Sequence, residues 1–308
     1  MSHSHDHSHD HAHGHAPAQP GDRRARKLLI AFALTAITLV AEAIGGWLSG
    51  SLALLADAGH MLVDAAALMF AWLGAHFARR PADARRSFGY ARLEVLVGYS
   101  NALVQFVLVA WIAVEALLRL AEPQPILSGT MLAVAVAGLL VNAFVLFVLS
   151  GHDHDDLNTA SARLHVLGDL FGSVGAVSAA LLIGWLGWLW ADAVVSILVS
   201  LLILSSAWRL LRRSAHILLE GAPEGVDADL VGEALQREAV GVSSVHHVHV
   251  WQLAGGYHVA TLHAQLRAGS DADEAIRSIH GVLRERFRIE HATVQIERGG
   301  CAGAGCAH

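Results

Sequence analysis

The chain has 308 residues, of which 54% are hydrophobic and only 16% are charged, and its mean hydropathy is +0.47. This apolar content is unusual for a soluble globular protein and predicts a membrane protein. The net charge of −6 gives no reason to expect a nucleic acid partner.

The first 27 residues form a histidine-rich tail. Seven histidines alternate with Ser, Asp, Ala and Gly between His3 and His15. Because such a tract has too few apolar residues to build a core, residues 1–27 are predicted to be disordered. The tract also lacks the apolar core of a signal peptide. The interleaved aspartates favour a metal-binding tail over a purification tag.

Six apolar segments occupy residues 28–213. Each has about 20 residues or more, which is enough for a helix to cross the hydrocarbon layer of a bilayer. The sequence therefore predicts a six-span transmembrane domain. The segments are residues 28–48, 52–77, 94–119, 127–149, 159–184 and 189–209.

Basic residues are distributed unevenly around these spans. Thirteen Lys and Arg residues fall on the side of the N-terminus, whereas Arg119 alone falls on the other side. Positive charge collects on the cytoplasmic side of membrane proteins. We therefore expect a multi-pass protein of the inner cell membrane with both termini in the cytoplasm.

Residues 214–298 have more charge and shorter apolar runs, which predicts a small soluble α+β domain. Helices are expected at 227–240 and 271–287, and strands at 245–252, 257–266 and 291–297. The order αββαβ suggests an open-faced sandwich. About 85 residues make a marginal core, so a second copy would help to stabilise it. Residues 299–308 form a Gly/Cys tail, in which Cys301 and Cys306 are expected to be thiols and a weak auxiliary metal site remains open.

Two copies of the spacing His-x-x-x-Asp lie inside apolar segments: His60–Asp64 in the second and His165–Asp169 in the fifth. Residues four apart share one face of a helix, and ionisable side chains at membrane depth usually mark a site or pathway. Together the two pairs supply two nitrogens and two oxygens, a set that suits tetrahedral zinc better than magnesium or calcium. The alternative is that each polar side chain merely caps or hydrogen-bonds to a neighbour. Packing and pathway roles both stay open for Glu42, Asp57, Glu115, Asn142 and Asp192.

Five segments, in order along the chain, resemble the zinc-transporting branch of the cation diffusion facilitator family. The resemblance implies six spans, a ferredoxin-like, metallochaperone-like cytoplasmic domain, a homodimer and exchange of a divalent metal for protons. It places the transport site on His60, Asp64, His165 and Asp169, and the histidine at position 60 points to zinc. The segments are SLALLADAGHMLVDAAAL, SFGYARLEVL, LHVLGDLFGSVGAV, VHHVHVWQL and HATVQIE.

The same resemblance implies a second metal site in the cytoplasmic domain, formed by His246, His263, His291 and Glu297. Zinc bound there would be regulatory and would sense the cytoplasmic concentration of the ion. The alternative is that these are simply exposed histidines on strands.

The expected function is therefore proton-coupled export of zinc, with cadmium and cobalt as further substrates. A histidine binds metal only when neutral, and its ordinary pKa of about 6.5 allows protons to compete with the metal. The alternative is a membrane-anchored metal sensor or buffer without transport. An enzyme is not expected because the sequence contains no His-Glu-x-x-His motif, and an ATP-driven pump is disfavoured because it contains no phosphate-binding Gly-Lys-Ser/Thr loop.

Overall fold

Six long helices follow one another in the structure, a computed structural model that describes residues 20–78, 83–149, 157–253 and 256–298. All six are long and apolar enough to cross a membrane, which confirms the predicted six-span architecture. The first begins at Pro20 rather than at residue 28, so residues 20–27 are helical and not disordered as predicted, and the last continues to Leu218. The remainder of the predicted N-terminal tail and the Gly/Cys tail lie outside the described residues. The helices are α1 Pro20–Ser49, α2 Leu52–Ala78, α3 Leu93–Ala121, α4 Ser128–Leu149, α5 Leu157–Leu186 and α6 Trp190–Leu218.

One compact unit contains α1, α4, α5 and the start of α2, up to Asp57. Small residues allow its helices to approach closely: a Cβ atom on Gly45 of α1 would lie only 2.5 Å from a methyl group of Val134 on α4. The connection from α1 to α2 turns at Gly50, whose φ of +74° favours glycine. After this turn, α2 begins at Leu52.

The start of α2 is capped by Asp192, a residue of the same unit that is 1% exposed. Its carboxylate accepts hydrogen bonds from the backbone N–H groups of Leu52 (2.7 Å) and Ala53 (3.2 Å) and from the Ser51 hydroxyl (2.6 Å). These bonds satisfy donors that have no partner inside the helix. For Asp192 the structure thus favours a structural role. Glu115 likewise pairs with Arg119 (2.9 Å), and Asn142 donates to Ser173 (3.1 Å).

The second compact unit contains the rest of α2, α3, α6 and the C-terminal domain. The C-terminal domain consists of α7 Ala228–Glu238, β1 Val242–Gln252, β2 His258–Leu266, α8 Ala272–Phe287 and β3 Ile289–Glu297. Asp227 and Asp271 cap the two helices through side-chain bonds of 2.8 Å. The order αββαβ agrees with the predicted fold class.

The three strands form one sheet in the order β1-β2-β3, with β1 antiparallel and β3 parallel to β2. The core contains residues from both helices, including Val231, Leu235, Ile279 and Leu283, together with alternate residues of β2. Leu262 and Ala264 are buried in that core, so alternation turns His263 to the opposite face of the sheet.

A β-bulge interrupts the alternation of β1. Strand pairing shifts between His246 and His249, and His247 has a φ of +50°. Val245 and Val250 are in the core, and Val248 packs against it. Val245 and Val248 are three residues apart, so in a regular strand they would face opposite sides of the sheet. The extra residue therefore turns both His246 and His247 towards the face that carries His263.

Candidate metal sites

The first candidate pair, His60 and Asp64, lies on α2. His60 Nε2 is 3.6 Å from Asp64 Oδ2, and the two side chains are only 13% and 21% exposed. The spacing of four residues brings both side chains to one face of the helix. The structure therefore brings together the nitrogen and the oxygen that the sequence singles out in this span.

Two amides from α3 hold the other oxygen of Asp64. Gln105 Nε2 donates to Asp64 Oδ1 at 2.5 Å, and Asn101 Nδ2 donates to the same oxygen at 3.4 Å. Gln105 is 4% exposed and belongs to the buried stripe of α3. Both amides therefore donate to the same carboxylate oxygen of Asp64, Oδ1.

The second candidate pair lies on α5 in the other compact unit. Asp169 is 4% exposed. His165 is in the helix, but its side chain lies outside the described part of the structure. In the same unit, Glu42 and Asp57 share a side-chain hydrogen bond and interact electrostatically with Asp169. This unit thus buries three carboxyl groups close to one another.

A glycine of α5 lies beside one of these carboxyl groups. A Cβ atom on Gly172 of α5 would lie 3.5 Å from both carboxylate oxygens of Asp57. This distance is an ordinary van der Waals contact, so the Asp57 carboxylate lies directly beside Gly172 within this unit.

The C-terminal domain holds a third candidate cluster, formed by His246, His263 and Glu297. Their ligand atoms all lie within 4.8 Å of one another. Glu297 Oε2 is 3.2 Å from His246 Nε2, and Glu297 Oε1 is 3.1 Å from His263 Nδ1. The strand register explains the meeting, since His246 pairs with His263 and Gln265 pairs with Glu297.

This cluster fits a bound zinc ion by two tests. His246 Nε2 and Glu297 Oε2 are both buried, and neither has a hydrogen-bond partner among the described residues, although they face each other. Two ligands of tetrahedral zinc, each about 2 Å from the ion, are about 3.3 Å apart, close to the separations in this cluster. The donor set of imidazole and carboxylate is also one that zinc accepts.

The structure does not bring His291 to this cluster. His291 pairs with Val259, and six residues separate it from Glu297 along β3, which corresponds to about 20 Å. Its exposed side chain instead contacts the ring of Phe88 edge-on, with centroids 5.8 Å apart. The sequence pattern placed His291 on the correct face but did not reveal its distance from the other ligands.

Sequence reasoning missed three residues around these sites. Asn101 and Gln105 are amides four residues apart in an apolar segment, and that spacing could have drawn attention to them. His247 joins the C-terminal cluster, with its ring centroid 4.9 Å from that of His263 and 5.4 Å from that of His246. No sequence signal distinguishes its bulge from a regular strand.

Comparison with known proteins gives matches along nearly the whole chain. The family described as the cation efflux transmembrane domain matches residues 28–219, and the one described as the cation efflux protein cytoplasmic domain matches residues 223–299. The Escherichia coli protein named zinc transporter ZitB is 48% identical over 99% of this chain and 96% of its own length.

Two further relatives come from other bacteria. The Cupriavidus metallidurans metal cation efflux system protein CzcD is 39% identical over 99% of this chain and 92% of its own length. A Bacillus velezensis protein named cadmium, cobalt and zinc/H(+)-K(+) antiporter is 35% identical over 90% of each chain.

Proposed function

The chain belongs to the cation efflux family, and on that basis we propose that it exports zinc from the cytoplasm in exchange for protons. The observation that carries the proposal is the half-buried His60–Asp64 pair in a helix able to cross a membrane. Relatives named as a zinc transporter and as a cadmium, cobalt and zinc antiporter support zinc as the substrate, with cadmium and cobalt as further substrates.

The proposed transport site consists of His60, Asp64, His165 and Asp169. Both pairs have the same spacing on helices long enough to cross a membrane. The two carboxylates carry a charge of −2, which one divalent cation neutralises, and this reduces the cost of holding the ion away from water. Two imidazole nitrogens favour zinc over cations that prefer oxygen ligands alone.

Proton exchange follows from the chemistry of the ligands. His60 and His165 must be neutral to bind zinc, so a proton that binds either imidazole disfavours the metal. If the site opens alternately to each side, protons entering from outside release zinc there, and loss of protons to the cytoplasm restores the site. Asp64 and Asp169 act as the charged ligands.

The test is transport into proteoliposomes with an imposed pH gradient and a zinc-sensitive dye inside. The wild-type protein accumulates zinc only when the gradient is present, and His165→Ala abolishes this flux. His280→Ala, a histidine substitution on α8 outside both sites, retains it. Undiminished flux in His165→Ala contradicts the site. Zinc binding by the wild type without any flux favours the alternative of a membrane-anchored sensor or buffer.

We propose that His246, His263 and Glu297 bind a zinc ion in the cytoplasm, with His247 beside them. When zinc is bound, it neutralises the buried Glu297 carboxylate and fixes β1, β2 and β3 together. We also propose that the protein is a homodimer with both termini in the cytoplasm.

A further inference from the structure

Two amide side chains donate hydrogen bonds to one proposed metal ligand, Asp64. Asn101 and Gln105 lie four residues apart on α3, and both donate to the same oxygen of Asp64, Oδ1. Gln105 is 96% buried, since its relative exposure is 4%. A polar amide at this depth in an apolar helix is costly unless it makes hydrogen bonds.

Packing alone does not explain Gln105. Its neighbours in the buried stripe of α3 are apolar, among them Ala102 and Val109. The Gln105 carbonyl oxygen is buried without a hydrogen-bond partner among the described residues. An apolar side chain of similar size would avoid the cost of burying that oxygen. What Gln105 provides that an apolar residue could not is the hydrogen bond to Asp64.

The geometry restricts how Asp64 can bind a metal. A carboxylate oxygen has two lone pairs, and Oδ1 already accepts from two N–H groups, those of Gln105 and Asn101. Asp64 Oδ2 is the oxygen that faces His60 Nε2, at 3.6 Å. A cation held by His60 and Asp64 therefore meets one carboxylate oxygen rather than two.

We infer that Gln105 is a positioning residue that keeps Asp64 a one-oxygen ligand and thereby selects zinc over the larger cadmium ion. Zinc favours four ligands in a tetrahedron, whereas a larger cation gains from a carboxylate that binds through both oxygens. This inference rests on the proposed function, because it assumes that His60 and Asp64 bind the transported ion.

The experiment compares zinc and cadmium transport by the full-length protein in proteoliposomes, measured with each metal separately. Gln105→Leu removes the N–H donors at nearly constant volume. We expect the kcat/KM for zinc transport to fall about tenfold, within the range typical for loss of a residue that hydrogen-bonds to a metal ligand. Cadmium transport falls much less, so the ratio of zinc to cadmium kcat/KM decreases by at least about threefold.

The matched control is Asn142→Leu. Asn142 is also a buried amide in a membrane-spanning helix, but it donates to the Ser173 hydroxyl rather than to a carboxylate. We expect its zinc-to-cadmium ratio to equal that of the wild type. If Gln105→Leu does not fold, Asn101→Leu removes the second donor to Oδ1 and lowers the ratio in the same direction.

An unchanged zinc-to-cadmium ratio overturns the inference, whether transport of both metals is retained or falls equally. That result is distinct from failure of the proposed function, in which the wild-type protein transports no zinc.

Discussion

At the scale of single residues, the C-terminal cluster makes a prediction that separates ligands from neighbours. We expect His263→Ala to reduce the number of zinc ions bound by the full-length protein by one per chain, because His263 Nδ1 faces Glu297 in the cluster. His291→Ala keeps the wild-type number, since His291 contacts Phe88 instead. Equilibrium dialysis followed by metal analysis measures both. Loss of an ion in His291→Ala alone would contradict the assignment.

The same cluster shows how far sequence reasoning reaches. Alternation along a strand gives the face of a side chain, so His263 and Glu297 could be placed on one surface from the sequence. Register decides which residues meet, and register depends on pairing between strands that local spacing does not specify. The bulge at His247 changes the alternation of β1 by one residue, and it adds a histidine that a regular strand would turn towards the core.

At the scale of helices, Asp192 links the start of α6 to the start of α2, the helix that carries His60 and Asp64. Asp192→Ala removes three hydrogen bonds and leaves the N–H groups of Leu52 and Ala53 buried without their acceptor. We expect a loss of about 2 kcal/mol in the free energy of unfolding, near the upper end for a helix cap. The midpoint of thermal unfolding then falls by about 5 °C.

Intrinsic tryptophan fluorescence of the purified protein follows that unfolding. Asp192→Asn keeps one carbonyl acceptor and should lie between the wild type and Asp192→Ala. Ser178→Ala is the control, because the Ser178 hydroxyl is exposed and bonds only to the backbone of its own helix at Val174. An unfolding temperature for Asp192→Ala equal to that of Ser178→Ala would show that the cap is not needed.

The six long helices could be predicted from the sequence more easily than the side-chain contacts between them. Length and apolar content identified all six long helices because a membrane span needs little more than a continuous apolar run. The capping role of Asp192 could not be predicted, since 139 residues separate Asp192 from Ala53 and only the folded chain brings them together. Asn101 and Gln105 pose the same difficulty, because their partner Asp64 lies on another helix.

At the scale of the whole molecule, the family matches confirm the resemblance inferred from five short segments, and they cover both the helical region and the C-terminal domain. Residues from 28 to 299 therefore contribute to one identification. The proposed roles differ between the regions: ligands on α2 and α5 bind the transported ion, and the cluster of His246, His263 and Glu297 on the sheet binds a regulatory ion. A resident ion and a transported ion need different exchange rates, so separate sites are chemically reasonable.

The orientation of the molecule can be tested with its own cysteines. Cys301 and Cys306 are the two cysteines of the sequence, and both lie in the C-terminal tail. Because thirteen basic residues fall on the side of the N-terminus and one on the other, we expect that tail to be in the cytoplasm. A membrane-impermeant maleimide should then label inside-out vesicles but not intact spheroplasts.

The control for this labelling is Ala121→Cys, made in a chain that carries Cys301→Ala and Cys306→Ala. Ala121 is exposed at the end of α3, one helix length from the basic residues that precede that helix. The opposite pattern is expected for this variant, with labelling of intact spheroplasts and none of inside-out vesicles. Labelling of the native tail from outside would reverse the orientation. That result would place His246, His263 and Glu297 outside the cytoplasm, which contradicts the proposal that this cluster binds cytoplasmic zinc.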